Sequence, residues 1–113
     1  MKRMTKLLSI LLVLTPPEDQ PLAILAEPVN HTGVVGSVAT FRVEAMGEGI
    51  TYQWYYSPAG GKSWSKSGMT GSNTAALTVT MTAARVGQMY RCVLTDAQGN
   101  TVTTQAVSLN RAG

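Results

Sequence analysis

Apolar and polar side chains alternate along most of this chain with a period of two. In the segment 37–46, Ala39, Phe41 and Val43 share one parity, and polar residues stand between them. Strict alternation of this kind indicates a β-strand with one buried face. Similar runs return at near-regular spacing and are separated by clusters of turn-forming residues. This arrangement is typical of an all-β sandwich.

The same pattern places the individual strands. We predict them at residues 22–27, 33–35, 37–46, 50–56, 62–66, 75–81, 89–95 and 101–109. Pro28 ends the first strand, which favours a sheet edge, and the segment 33–35 can resume that strand. Val102 and Val107 have opposite parity, so we expect a β-bulge near Thr104 and Gln105.

The N-terminal segment has a different composition. A basic start followed by apolar residues 7–14 gives residues 1–14 the form of a secretory signal, although no small-x-small cleavage motif follows at the expected distance. A short buried strand, or the start of an excised fragment, are the alternatives. The apolar stretch is too short to span a membrane. The Pro-rich stretch 15–21 is expected to be a linker, so we divide the chain into residues 1–21 and a β-sandwich domain at 22–110.

Composition narrows the possible functions. The chain has 113 residues, enough for one domain, and charged residues make up 13% of them, about half the usual share. The net charge of +3 comes partly from Lys2, Arg3 and Lys6 at the N-terminus, and the later cations are scattered without a continuous basic stripe, so we expect no nucleic-acid partner. The chain has 1 cysteine, which excludes an internal disulfide and a cysteine-rich zinc site.

A tryptophan on one strand and a Tyr-x-Cys motif on a later strand form the core signature of an immunoglobulin-like sandwich. The segments 36–43, 52–56 and 87–92 (GSVATFRV, YQWYY and GQMYRC) carry that signature and resemble bacterial immunoglobulin-like repeats. The resemblance implies a two-sheet Greek-key sandwich of about seven to nine strands. It also implies a non-enzymatic module of a bacterial surface or secreted protein. Such a module serves as a structural spacer, as a display domain or as an adhesion domain, and it stands beside other domains of a longer chain.

The resemblance also assigns roles to core residues. Trp54 looks like the central tryptophan, and Tyr90 looks like the tyrosine-corner residue, whose hydroxyl would bond a backbone group a few residues upstream. Cys92 occupies the later cystine position, and Val43 stands where the earlier cysteine would be. The core is therefore expected to be free of cystine, with an unreactive buried thiol. The predicted core residues are Phe41, Val43, Trp54, Leu77, Tyr90 and Cys92.

No motif indicates catalysis, so we assign no catalytic residue, cofactor or metal ligand. His31 is the single histidine and is expected in a surface turn, without a second ligand or base. Glu44 and Glu48 bracket a turn and are read as solvated charges rather than a catalytic pair. The segment 96–100 offers too few oxygen ligands for calcium and is read as a hairpin turn.

The exposed aromatic residues are the best binding candidates. Tyr55 points away from the core by parity, and Trp64 lies on a short strand that should neighbour it. Such a pair can stack a sugar or a partner protein, or it can simply cover the outer sheet face. The partner is thus an unidentified protein or glycan. A carbohydrate-binding accessory domain is the second hypothesis, and a phage or virion decoration domain is the third.

Overall fold

The computed structural model describes residues 21–58 and 62–112. The signal-like segment 1–14, most of the predicted linker and the tip of the loop after Pro58 lie outside the described residues. The described part of the chain contains ten strands and one short 3-10 helix, Ala83–Arg85. The strands are β1 (Ala23–Ala26), β2 (His31–Gly33), β3 (Val38–Arg42), β4 (Glu44–Met46), β5 (Thr51–Ser57), β6 (Ser65–Lys66), β7 (Ala76–Thr80), β8 (Met89–Thr95), β9 (Thr101–Thr103) and β10 (Val107–Arg111).

The strands form two layers, as the sequence predicts. In the first layer β1 pairs with β4 and β3 with β7, and only Val43 separates β3 from β4. We call this the small layer. The second layer is a six-stranded sheet with the order β2-β10-β8-β5-β6, in which β9 also pairs with β8. We call it the large sheet.

The prediction that residues 33–35 resume the first strand is wrong. The strand after Pro28 is β2, which begins at His31 and runs parallel to β10 in the large sheet. Pro28 has no N–H to donate to a ladder, so the chain leaves the small layer there and crosses to the other sheet. Val34 and Val35 instead enter a turn, which is closed by the bond from the Ser37 N–H to the Val34 carbonyl oxygen at 3.0 Å.

The predicted β-bulge is confirmed by the register of β8 with its neighbours. Val93 lies opposite Thr103, and an unbroken ladder would therefore place residue 106 opposite Tyr90. Val107 occupies that position instead, so one extra residue has been inserted. The Thr104 hydroxyl accepts a hydrogen bond from the Cys92 N–H at 2.9 Å, which fixes the bulge in place.

The core lies between the two layers. All six predicted core residues are at most 2% exposed and belong to one buried cluster. The Phe41 and Tyr90 rings stack across the layers, with their centroids 5.2 Å apart. The Trp54 indole N–H donates to the Thr74 carbonyl oxygen at 2.7 Å, so its one polar atom is satisfied. The residues that alternate with these core residues along the strands therefore form the outer face of the large sheet.

Candidate interaction surface

Strand parity positions Tyr55 and Arg91 on the outer face of the large sheet. Their neighbours Trp54, Tyr90 and Cys92 point into the core, so the alternating side chains point outward. Tyr55 lies opposite Arg91 on β8, and it also lies opposite Lys66 on β6. The structure therefore assembles an aromatic ring and two cations from three different strands.

Trp64 joins this group through its contact with Arg91. The guanidinium carbon of Arg91 lies 4.1 Å from the centre of a Trp64 ring, which is a cation–π contact. The Arg91 Nε atom is buried and has no hydrogen-bond partner among the described residues. We call Tyr55, Trp64, Lys66 and Arg91 the aromatic–cationic patch. The guanidinium occupies one face of Trp64, which leaves a stacking sugar only the opposite face.

Sequence reasoning found the aromatic members of the patch but missed both cations. The signal for Arg91 was present, because it stands between the inward residues of the Tyr-x-Cys motif and must point outward. Lys66 becomes visible only from the register of β6 against β5.

Two amides lie beside the patch. Gln53 shares the outward parity of Tyr55, and its Oε1 accepts a hydrogen bond from Asn73 Nδ2 at 2.9 Å. Its Nε2 donates to the Trp54 carbonyl oxygen at 2.9 Å. These two bonds hold the Gln53 amide in one orientation and give the patch a fixed polar border.

A groove of about 510 Å³ opens where β7 ends and β8 begins. It is lined by Tyr56, Lys66, Ser67, Gly68, Met69, Arg85 and Gln88. The Tyr90 hydroxyl donates to Gln88 Oε1 at 2.9 Å. The expected bond from this hydroxyl to an upstream backbone group is therefore wrong, because the nearby Gln88 side chain supplies the acceptor.

The pKa of Tyr90 is raised, first by its burial, while the Arg85 charge acts in the opposite direction. The hydroxyl thus keeps its proton and its role as donor at neutral pH.

Burial likewise raises the pKa of the Cys92 thiol to about 12, so the reactive thiolate is scarce at neutral pH. This agrees with a packing role for Cys92.

The other candidates are dispersed. His31 is not in a surface turn as predicted: it begins β2, is half-buried, and its Nε2 has no hydrogen-bond partner in the described part of the chain. Glu44 lies on β4, and Glu48 lies in the following turn. The Asp96 carboxylate accepts bonds from the Gln98 and Asn100 N–H groups, both at 2.9 Å, and from the Asn100 side chain at 3.0 Å. Segment 96–100 is thus a turn stabilised by its own carboxylate.

Within residues 21–58 and 62–112, no three or more His, Cys, Asp and Glu side chains cluster closely enough to hold a metal ion. No helix in those same ranges is both long enough and apolar enough to cross a membrane.

Comparisons with known proteins identify the fold. No protein-family model matches the sequence, and neither does any curated protein. Among solved structures, the first domain of Duf (Kirre) matches with a TM-score of 0.55 and 20% identity, covering 81% of this chain and 97% of that one. The N-terminal immunoglobulin module of the Drosophila receptor protein tyrosine phosphatase DLAR matches with a TM-score of 0.56 and 22% identity, over 81% of this chain and 49% of that one.

A third match comes from a complex of titin with Obscurin-like 1. It has a TM-score of 0.56 and 17% identity, over 82% of this chain and 95% of that one. At such identities the likeness establishes the fold alone, so this chain has an immunoglobulin-like fold. The matched proteins are eukaryotic, whereas the sequence motifs resemble bacterial repeats.

Proposed function

We propose that this chain is a non-enzymatic immunoglobulin-like module of a bacterial surface or secreted protein, and that it acts in adhesion or display by binding a partner protein. The observation that carries the proposal is the aromatic–cationic patch on the outer face of the large sheet.

The chemistry of the patch supports binding to a protein. Tyr, Trp and Arg are the residue types that dominate binding energy at protein interfaces. The contact between Arg91 and Trp64 holds both side chains in place before a partner arrives, which lowers the entropic cost of binding. Lys66 and Arg91 give the patch a positive charge, so a partner surface rich in carboxylates is the best complement.

The fold supports binding to a protein, and the core agrees with the bacterial repeats that the sequence resembles. One of the matched structures is a complex that contains proteins of this fold, and this chain covers nearly all of the matched chain. Val43 and Cys92 lie in one buried cluster without a disulfide, as in the bacterial repeats that the sequence resembles. A module that folds without a crosslink suits export by a bacterium as well as the cytosol.

The context is tested on intact cells of the source organism. Brief protease treatment of intact cells, followed by mass spectrometry of the released peptides and of the culture medium, should recover peptides of this chain. Recovery only after cell lysis contradicts a surface or secreted location.

The patch is tested by coating beads with the purified protein and counting the beads that adhere to cultured epithelial cells. Trp64→Ala and Arg91→Ala should each lower adhesion about tenfold, the loss expected for an interface hot spot. Arg42→Ala is the matched control, because Arg42 is an exposed arginine on β3 in the small layer. Equal adhesion of all four proteins contradicts the proposed role of the patch.

A further inference from the structure

The groove between the end of β7 and the start of β8 is rich in hydrogen-bond donors and carries no carboxylate. Its lining includes the cations Lys66 and Arg85, the polar side chains Ser67 and Gln88, and the aromatic ring of Tyr56. Its volume of about 510 Å³ is within the range of small-molecule binding sites.

Arg85 is held in a fixed orientation. Its Nη1 donates to the Thr80 carbonyl oxygen at 2.7 Å, and Thr80 is the last residue of β7. This bond uses one of the five N–H donors of the guanidinium. The remaining donors have no other hydrogen-bond partner within the described ranges, so a carboxylate can pair with them.

Gln88 is oriented by the core. The Tyr90 hydroxyl donates to its Oε1, so this oxygen is already engaged and the amide presents its two N–H donors. The Ser67 hydroxyl oxygen accepts a bond from the Met69 N–H at 3.1 Å, which leaves its own proton free to donate. The groove thus offers amide and hydroxyl donors beside the two cations.

Two acidic residues of the described part of the chain, Asp96 and Glu48, are remote from the groove. Asp96 follows β8 at the opposite end of that strand, and Ala97 donates its N–H to the Glu48 carbonyl oxygen at 2.9 Å, which places Glu48 at that end as well. Met89 and Thr95, the ends of this strand, are about 20 Å apart. The two cations of the groove are therefore not neutralised by these carboxylates.

The edge of β7 near Arg85 has two of its backbone groups occupied. On the side of β7 away from β3, the Thr78 N–H donates to the Thr70 carbonyl oxygen at 2.9 Å. The Thr80 carbonyl oxygen is taken by Arg85. These two bonds oppose the addition of an acidic peptide as a further strand along β7, because the Thr78 N–H and the Thr80 carbonyl oxygen are occupied. The donors that the groove itself offers to a ligand are the side chains of Arg85, Lys66, Gln88 and Ser67.

We propose that this groove binds a carboxylate-bearing sugar unit of a glycan. The carboxylate pairs with Arg85 and Lys66, the sugar hydroxyls bond the Gln88 amide and Ser67, and the sugar ring packs on Tyr56. The groove shares Lys66 with the aromatic–cationic patch, whereas Arg85, Gln88 and Tyr56 line the groove and are not part of that patch.

The proposal is tested by NMR titration of the full chain, labelled with ¹⁵N, with sodium glucuronate. Shifts are expected at the side-chain Nε–H of Arg85 and the side-chain amide of Gln88. Glucose should bind at least tenfold more weakly, because it lacks the carboxylate. Arg85→Gln and Lys66→Ala should each weaken glucuronate binding about tenfold. Lys66→Ala changes an exposed side chain, so it tests the site even if Arg85→Gln disturbs the fold.

Trp64→Ala is the control, since Trp64 belongs to the patch and does not line the groove, so its removal should leave glucuronate binding unchanged. Glucuronate binding therefore reports on the groove and bead adhesion reports on the patch, so failure of one proposal can be told from failure of the other. The proposal is overturned if glucuronate causes no shift at Arg85 and Gln88. It is also overturned if acetate binds as tightly as glucuronate, which indicates a general anion effect, or if a glutamate-rich peptide binds more tightly than glucuronate.

Discussion

Replacing Val43 by cysteine is expected to join residues 43 and 92 through a disulfide and to stabilise the fold. Val43 and Cys92 belong to the same buried cluster and are 2% and 0% exposed. Cys92 lies opposite Trp54 in the large sheet, whereas Val43 lies between the two strand pairs of the small layer. A disulfide at these positions would link the two layers through the centre of the core.

The magnitude follows from the loop that the disulfide closes. The two residues are 92 − 43 = 49 positions apart. Closing a loop of that length lowers the entropy of the unfolded chain by an amount worth about 4 kcal/mol. Losing part of the buried valine side chain costs about 1 kcal/mol. The net gain of about 3 kcal/mol corresponds to a rise of roughly 10–20 °C in Tm for a domain of this size.

The disulfide should form during refolding rather than in the folded protein. Burial raises the pKa of Cys92 to about 12, so roughly one thiol in 10⁴ is ionised at pH 8 in the folded state. We therefore expect efficient oxidation when Val43→Cys is refolded from denaturant with oxidised glutathione. Little oxidation is expected when the folded protein is exposed to the same oxidant.

The assay compares the Tm of oxidised Val43→Cys with that of the same protein after reduction, by circular dichroism. Mass spectrometry and thiol titration in denaturant report the crosslink. The wild-type chain with and without reductant is the control, since its one thiol cannot form an internal disulfide. The reasoning is refuted if the two thiols stay free after oxidative refolding, or if the oxidised form melts no higher than the reduced form.

Three further predictions test local features. Thr104→Val should lower the free energy of unfolding by about 1–3 kcal/mol in denaturant titrations, because the buried Cys92 N–H loses its acceptor; an unchanged midpoint contradicts this role for the bulge. Gly71→Ala should destabilise more than Gly68→Ala, because Gly71 has a φ of +84° and an added Cβ would meet the Ala76 carbonyl oxygen. Hydrogen bonds, above all the one from the Asn100 side chain, lower the pKa of Asp96. Their contribution to the stability of the fold is therefore present above the ordinary pKa of an aspartate and is lost as the pH falls through the lowered pKa. The Tm of the wild type should therefore fall more steeply below pH 4 than that of Asp96→Asn, and parallel curves contradict this.

Period-two patterning predicted much of the fold because each strand has one face in the core. The strand at 89–95 has the predicted bounds, and the bulge near Thr104 was visible from two valines of opposite parity. Parity reports which face is buried, but it does not report which strand lies alongside. The crossing of the chain after Pro28 and the pairing of β2 with β10 were therefore missed.

The candidate sites were less predictable than the core. Tyr55 and Trp64 were found because aromatic residues are conspicuous in a sequence with few of them, although both are half-buried in the structure. Lys66 and Arg85 are ordinary cations in the sequence and gain meaning only from their neighbours. The bond from the Tyr90 hydroxyl to Gln88 was also unpredictable, because strand parity does not show whether a backbone or a side-chain acceptor lies near the hydroxyl.

The sequence by itself determined an all-β sandwich with Trp54, Tyr90 and Cys92 in its core, since burial of alternate side chains is a local property of each strand. Only the tertiary structure decided which surface residues meet. It placed Arg91 on the ring of Trp64, and it gathered Arg85, Gln88 and Lys66 around one groove. Contacts of this kind depend on register and on the path of the connections. Register and path are fixed by the packing of the whole chain rather than by any single segment.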